Sequence, residues 1–181
     1  AELEQARAEV RELRDRIKEY QVSLKSLQYE ISISEEENRS VRDEKSAQSI
    51  LLSRLDTTTY VHIQYLDDFA EEARGLTINW LNLFMALAKV VSSGSVIMVV
   101  VPDEMAKELC AKYAIKGPTN MKDYVTALNE SDFDNILTVF ASLELINIPP
   151  GSWAPLTLTA KGKKLYLDQK ADVILSSKLF E

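Results

Sequence analysis

Glycine and proline are missing from the first 74 residues; all five of each fall from Gly75 onward. These two residues punctuate local structure, so their absence predicts long, uninterrupted elements at the start of the chain. Cysteine is scarce as well. Cys110 stands alone, which excludes an intrachain disulfide and a multi-thiolate zinc site. The single histidine, His62, excludes a His pair for metal or acid–base work. A lone thiol fits a reducing, intracellular compartment.

Long apolar runs are lacking too. The richest, LFMALAKVVSSGSVIMVVV at 83–101, is broken by Lys89, three serines and Gly94. A spanning helix needs roughly 20 apolar residues in a row, so this stretch reads as core and no membrane partner is expected. Also missing are a phosphate-cradling glycine loop, a Ser-His-Asp set and a paired-carboxylate motif. The chain is therefore expected not to be an enzyme and to need no cofactor.

What remains is an ordinary globular composition, 46% apolar and 27% charged over 181 residues, enough for one compact domain and an appendage. Net charge is −7, from 21 basic and 28 acidic residues. Nucleic-acid binding is driven by neutralising phosphates, so an acidic chain would need a local basic patch for it. The opening AELEQ lacks Met and lies inside an already periodic pattern, as expected of a processed product or an excised piece of a longer protein.

That pattern is the strongest feature. Leu3, Val10, Leu13, Ile17, Tyr20, Leu24, Leu27 and Ile31, with Ala6 between the first two, recur at alternating steps of three and four. This is the a/d seam of a coiled coil over four heptads, flanked by Glu, Arg, Lys and Gln. Such a stripe demands a partner helix, and self-association is the simplest answer. In the same register the seam then turns polar apart from Val41, at Ser34, Asn38, Lys45 and Gln48, before Leu52 and Leu55. Two explanations compete: a continuous helix whose polar a positions fix register, or a break near 32–37 where Ser34 and Glu37 form a capping box. With no Gly or Pro to reverse the chain, the continuous helix is favoured.

Residues 56–75 are ambiguous. Three threonines and the alternation from Tyr60 to Tyr65 would suit a strand, whereas Ile63, Leu66, Phe69, Ala70 and Ala73 suit a helix. A connecting helix over 57–75 is expected. Its Asp67, Asp68, Glu71 and Glu72 then form a solvated face rather than a metal site. Beyond Gly75 a globular unit is expected: a helix capped by Thr77, a strand at 95–101, and a helix from Asp103 to about Ala114. Next come a helix from Asn120, a helix capped by Ser131, a strand–loop–strand at 146–159, and a closing helix from Ala160.

The end of this unit, ILTVFASLELINI followed by PLTLTAKGKKLY, resembles the back half of winged-helix regulators of the MarR and PadR type, over roughly 120–167. The resemblance implies a wing between two short strands and a DNA-reading helix before it. Physically, Leu156 and Leu158 alternate inward, Thr159 caps the next helix, and Gly162 lets helix and sheet approach. The helix that would read DNA holds Asp132, Asp134 and Glu144 and no Lys or Arg, leaving Asn135 as its one base-reading side chain.

The expected fold is thus α+β, mainly helical with a small β component: a coiled coil over 1–56, the connecting helix, and a winged-helix-like domain over 76–181. The expected function is a non-catalytic interaction module. Its coil would oligomerise, and its head would dock an unidentified protein through Trp153, on the wing beside Pro149, Pro150 and Pro155. The alternative is a dimeric DNA-binding protein, with Lys161, Lys163 and Lys164 on backbone phosphates. Those lysines, with Lys170, otherwise form a solvated face.

Overall fold

The computed structural model describes residues 2–67, 70–94, 96–121 and 124–178, with side chains from residue 9 to residue 172. The chain divides into two units, residues 1–50 and 51–181. It is mainly helical with a small antiparallel component.

The first unit is helix throughout its described length. It belongs to α1 (Glu2–Leu55), which passes through 32–37 without a break. Ser34 is not a cap: its Oγ receives the Asn38 amide from one turn on, at 3.5 Å. Ser32 returns its hydroxyl to the Tyr29 carbonyl at 2.7 Å, so the serines are satisfied inside a helix.

In the second unit, the last turn of α1 places Leu51 and Leu55 in a hydrophobic core, with Leu52 packed against it. Leu52 and Leu55, reached by extending the heptad register, are thus head residues rather than seam residues. The expected connecting helix over 57–75 is instead a hairpin of β1 (Thr58–Leu66) and β2 (Glu71–Asn79), in register from Thr58–Asn79 to Leu66–Glu71. Period-two burial decides the matter. Val61, Ile63 and Tyr65 turn into the core, whereas Leu66 and Ala73, which the helical pattern would bury, are exposed. At the turn, Asp67 accepts the Ala70 N–H at 2.6 Å; Asp68 and Phe69 lie outside the described residues.

Asn79, rather than Thr77, caps α2 (Trp80–Ser92), its side chain accepting the Asn82 N–H at 2.9 Å. The expected strand at 95–101 shrinks to one bridge, Ile97 to Pro155, followed by a 3-10 turn at Met98–Val100. Pro155 has no N–H to continue a ladder, and Pro102 suits the first turn of α3 (Val101–Tyr113). The helix expected from Asn120 is also overturned. Val125–Leu128 forms β3, which pairs with β1 from Ile63–Leu128 to Leu66–Val125 and completes the order β2-β1-β3. The second edge of β1 was open, and Val125 and Thr126 are β-branched.

Helix α4 (Glu130–Ser142) is capped by Asn129, two residues before the expected Ser131. It sends Phe133, Ile136, Leu137 and Phe140 inward. The Phe140 ring meets Trp80 and Phe84 edge-on at 5.8 and 5.5 Å. Two short strands, β4 (Ile146–Asn147) and β5 (Thr157–Leu158), bracket the loop at 148–156, and α5 (Ala160–Lys178) closes the described chain.

Candidate interaction surfaces

On α1 the seam residues lie uncovered. Exposure runs from 48% at Val10 to 62% at Tyr20, with Leu13, Ile17, Leu24, Leu27 and Ile31 between. The side chain of Leu3 lies outside the described residues. Val22 and Tyr29, also exposed, are one heptad apart on the opposite face and belong to no a/d pair. An apolar stripe of this length facing water is unfavourable at about 25 cal/mol per Å2.

The loop between β4 and β5 presents the second surface. Its backbone is strapped to the segment before α3: Met98 N–H donates to the Ala154 carbonyl and Val99 N–H to the Ser152 carbonyl, each at 3.1 Å. Between these straps Trp153 is 79% exposed, so the indole does not tuck against the sheet. Val99, whose backbone makes one of the straps, and Ile148, at the start of the loop, are exposed as well. Sequence reasoning found Trp153 but missed Val99, which it placed in a strand.

The basic cluster is less available than its sequence suggests. Lys161 stands 3.5 Å from Glu144, and the Lys170 ammonium lies 5.9 Å from the Tyr166 ring centroid. Lys163 borders a groove of about 240 Å3 beside Gly94 and Pro155–Leu158. Thr159 caps α5 as expected, accepting the Gly162 N–H at 3.0 Å and donating to the Glu144 carbonyl at 2.6 Å.

The exposed face of α4 carries Asp134, Asn135, Thr138 and Ser142, and no cation. Asp132 is turned elsewhere. Its Oδ2 accepts the His62 backbone N–H at 2.7 Å and stands 2.9 Å from His62 Nδ1. His62 faces outward on β1, while Tyr65, three residues on, faces inward to place its hydroxyl 3.5 Å from Cys110 Sγ. His62 and Cys110 therefore sit on opposite sides of the sheet and form no nucleophile–base pair. Burial, then the Cys110 contact, pushes the Tyr65 hydroxyl well above the ordinary tyrosine range.

A concavity of about 650 Å3 beside α2 and α3 is lined on its apolar side by Val90, Val96, Ile97 and Val100. Its cations are neutralised: Lys89 meets Glu108 at 2.6 Å and Lys107 meets Glu104 at 2.7 Å. The acidic residues of the β1–β2 hairpin are likewise occupied, Glu71 by the Gln64 amide and Glu72 by Arg74. Among the described residues no group of three or more His, Cys, Asp or Glu is placed to hold a metal ion, and no helix is long and apolar enough to cross a membrane. Comparison with protein-family models, curated proteins and solved structures finds no match to this chain.

Proposed function

We propose that this chain is a non-catalytic assembly module that self-associates through the seam on α1 and docks a protein partner with a winged-helix-like head. The observation that carries the reading is the uncovered seam from Val10 to Ile31. Support for the head comes from element order. Helix α2, the residue Ile97 paired to the wing, α3, α4, β4, the wing and β5 follow the winged-helix sequence of elements. On this reading α3 is the second helix of the motif, and the segment carrying β3 is an insertion before the third. The fixed, solvent-facing Trp153 is the anchor for the partner, since aromatic side chains dominate interface energetics.

Sedimentation equilibrium tests it. The chain self-associates at micromolar concentration, and an Ile17→Lys/Leu24→Lys variant sediments as a monomer with its head still cooperatively folded. A wild-type chain that remains monomeric overturns the reading.

One observation favours DNA binding as the second reading: Asp132 spends its carboxylate on His62 and so adds less repulsion toward phosphate than its position on α4 implies. Lys163 and Lys164 would then grip the backbone. Anisotropy with a random duplex at about 50 and about 200 mM salt decides, because phosphate contacts weaken steeply over that range. Salt-sensitive binding lost in Lys161→Ala/Lys163→Ala/Lys164→Ala replaces the docking reading with this one.

A further inference from the structure

We infer that the helix covering the seam of α1 is that of a second copy of this chain, parallel and in register, in a two-stranded coiled coil. This rests on the self-association proposed above and goes beyond it by fixing occupant, orientation and strand number. Three independent features of the helix converge on it.

The first is side-chain shape. Val10, Ile17 and Ile31 are β-branched among the five a positions, the others being Leu3 and Leu24, and Leu13 and Leu27 occupy d beside Ala6 and Tyr20. β-Branched residues at a with Leu at d favour two parallel strands over three or four.

The second is the division of the seam into an apolar half, Val10 to Ile31, and a half from Ser34 to Gln48 that is polar apart from Val41, on one continuous helix. A parallel, in-register pair sets each half against its own kind, and Asn38 meets Asn38 of the second copy, a pairing in which amides satisfy one another. An antiparallel pair of full overlap lays Asn38 against Leu13 and Ser34 against Ile17. Each such layer buries a polar group without a partner, at about 1–3 kcal/mol.

The third is charge. With parallel strands, Glu9 flanks Arg14 of the second copy and Glu37 flanks Arg42, both attractive g–e pairs. One g–e pair, Glu30 with Glu35, is repulsive, and Lys45 at an a position faces its own copy; both fall where the seam turns polar. An antiparallel pair overlapping only in the apolar halves escapes the polarity mismatch, but it sets Glu9 near Glu30. Full-length parallel overlap is the alignment that sets polar half on polar half while keeping two attractive flanking pairs.

The test uses the full chain with Cys110→Ala and a single nitroxide label on a cysteine at Glu12 or Ser40, both c positions away from the seam. Label–label distances are read by pulsed electron resonance, and mass by sedimentation of the same samples. Parallel, in-register strands give a dimer with short and nearly equal distances at both sites. Full antiparallel overlap gives a dimer with long distances at both, offset by about 40 Å along the axis at 1.5 Å per residue. The shorter antiparallel overlap gives two unequal distances. Either antiparallel result overturns the inference and leaves self-association standing. A trimer or tetramer overturns the strand number, and a monomer overturns self-association itself.

Discussion

Asp132, in the first turn of α4, holds β1 by its backbone: Oδ2 accepts the His62 N–H at 2.7 Å and contacts the same residue's Nδ1 at 2.9 Å. Just beyond the β1–β3 ladder, the Asn129 N–H donates to the His62 carbonyl at 3.0 Å. The start of α4 thus continues the sheet edge that β3 leaves off. Asp132→Ala removes the acceptor of both contacts and is expected to cost about 1–2 kcal/mol, the range for charge-assisted bonds that water can partly replace. His62→Ala keeps the backbone bond and costs less. Equal losses of the two variants in urea denaturation would assign the linkage to the imidazole instead.

Two glycines face crowded neighbours with opposite consequences. A Cβ at Gly162 would lie 2.0 Å from the Leu145 carbonyl oxygen, a backbone atom fixed by the turn into β4. Gly162→Ala must push α5 off the sheet and is expected to cost about 1–3 kcal/mol. At Gly75 the crowding atom is the Tyr60 hydroxyl, the tip of an exposed side chain that can swing aside. Gly75→Ala is therefore expected to change stability little. Melting both variants side by side checks the contrast.

Leu24 and Leu55 share one helix but belong to different units. Leu55 is fully buried in the head core, so Leu55→Ala is expected to cost about 2–5 kcal/mol of head stability. Leu24→Ala is expected to leave head unfolding unchanged while weakening self-association. A dilution series, followed by head unfolding in denaturant, separates the two effects.

Why some elements were legible in the sequence follows from the same residues. The heptad stripe and the missing Gly and Pro predicted α1 correctly, because helix periodicity needs only local information. Thr159 and Gly162 were legible for a similar reason: a cap and a close approach each depend on one residue. The hairpin at 58–79 was not, since Tyr60–Tyr65 alternates while Ile63, Leu66 and Ala73 recur at helical spacing, and only tertiary burial of Val61, Ile63 and Tyr65 chooses between them. Nor was β3, whose partner lies some sixty residues earlier on β1. Of the candidate surfaces, Trp153 could be found from its neighbouring prolines, but the strap that fixes it is made of backbone bonds to Met98 and Val99, invisible to side-chain patterns.

Tyr65 predicts an alkaline limit. The residue is 1% exposed, and its hydroxyl is held above the ordinary tyrosine range by burial and by Cys110. The unfolded chain therefore loses this proton first as pH rises, and ionisation stabilises the unfolded state. Stability is expected to fall with pH once the ordinary tyrosine range is reached, and to be unaffected by this group below it. Tyr65→Phe should flatten that slope in denaturation at increasing pH. An unchanged slope would place the alkaline sensitivity in another group.

Trp153 offers a readout independent of any partner's identity. The chain has two tryptophans, Trp153 on the strapped loop and Trp80 packed edge-on against Phe140. In a Trp80→Phe variant, fluorescence reports Trp153 alone, and an exposed indole should be quenched freely by a neutral collisional quencher. Trp153→Ala touches no core residue, so its stability change should stay within about 0.5 kcal/mol. A binding partner that buries the wing tip would protect the indole from quencher and lose affinity for Trp153→Ala by tenfold or more, the scale of a hot spot at about 1.4 kcal/mol per decade. Poor quenching in the isolated chain would instead mean that the indole is already covered by a second copy, and the docking surface would have to be sought elsewhere on the head.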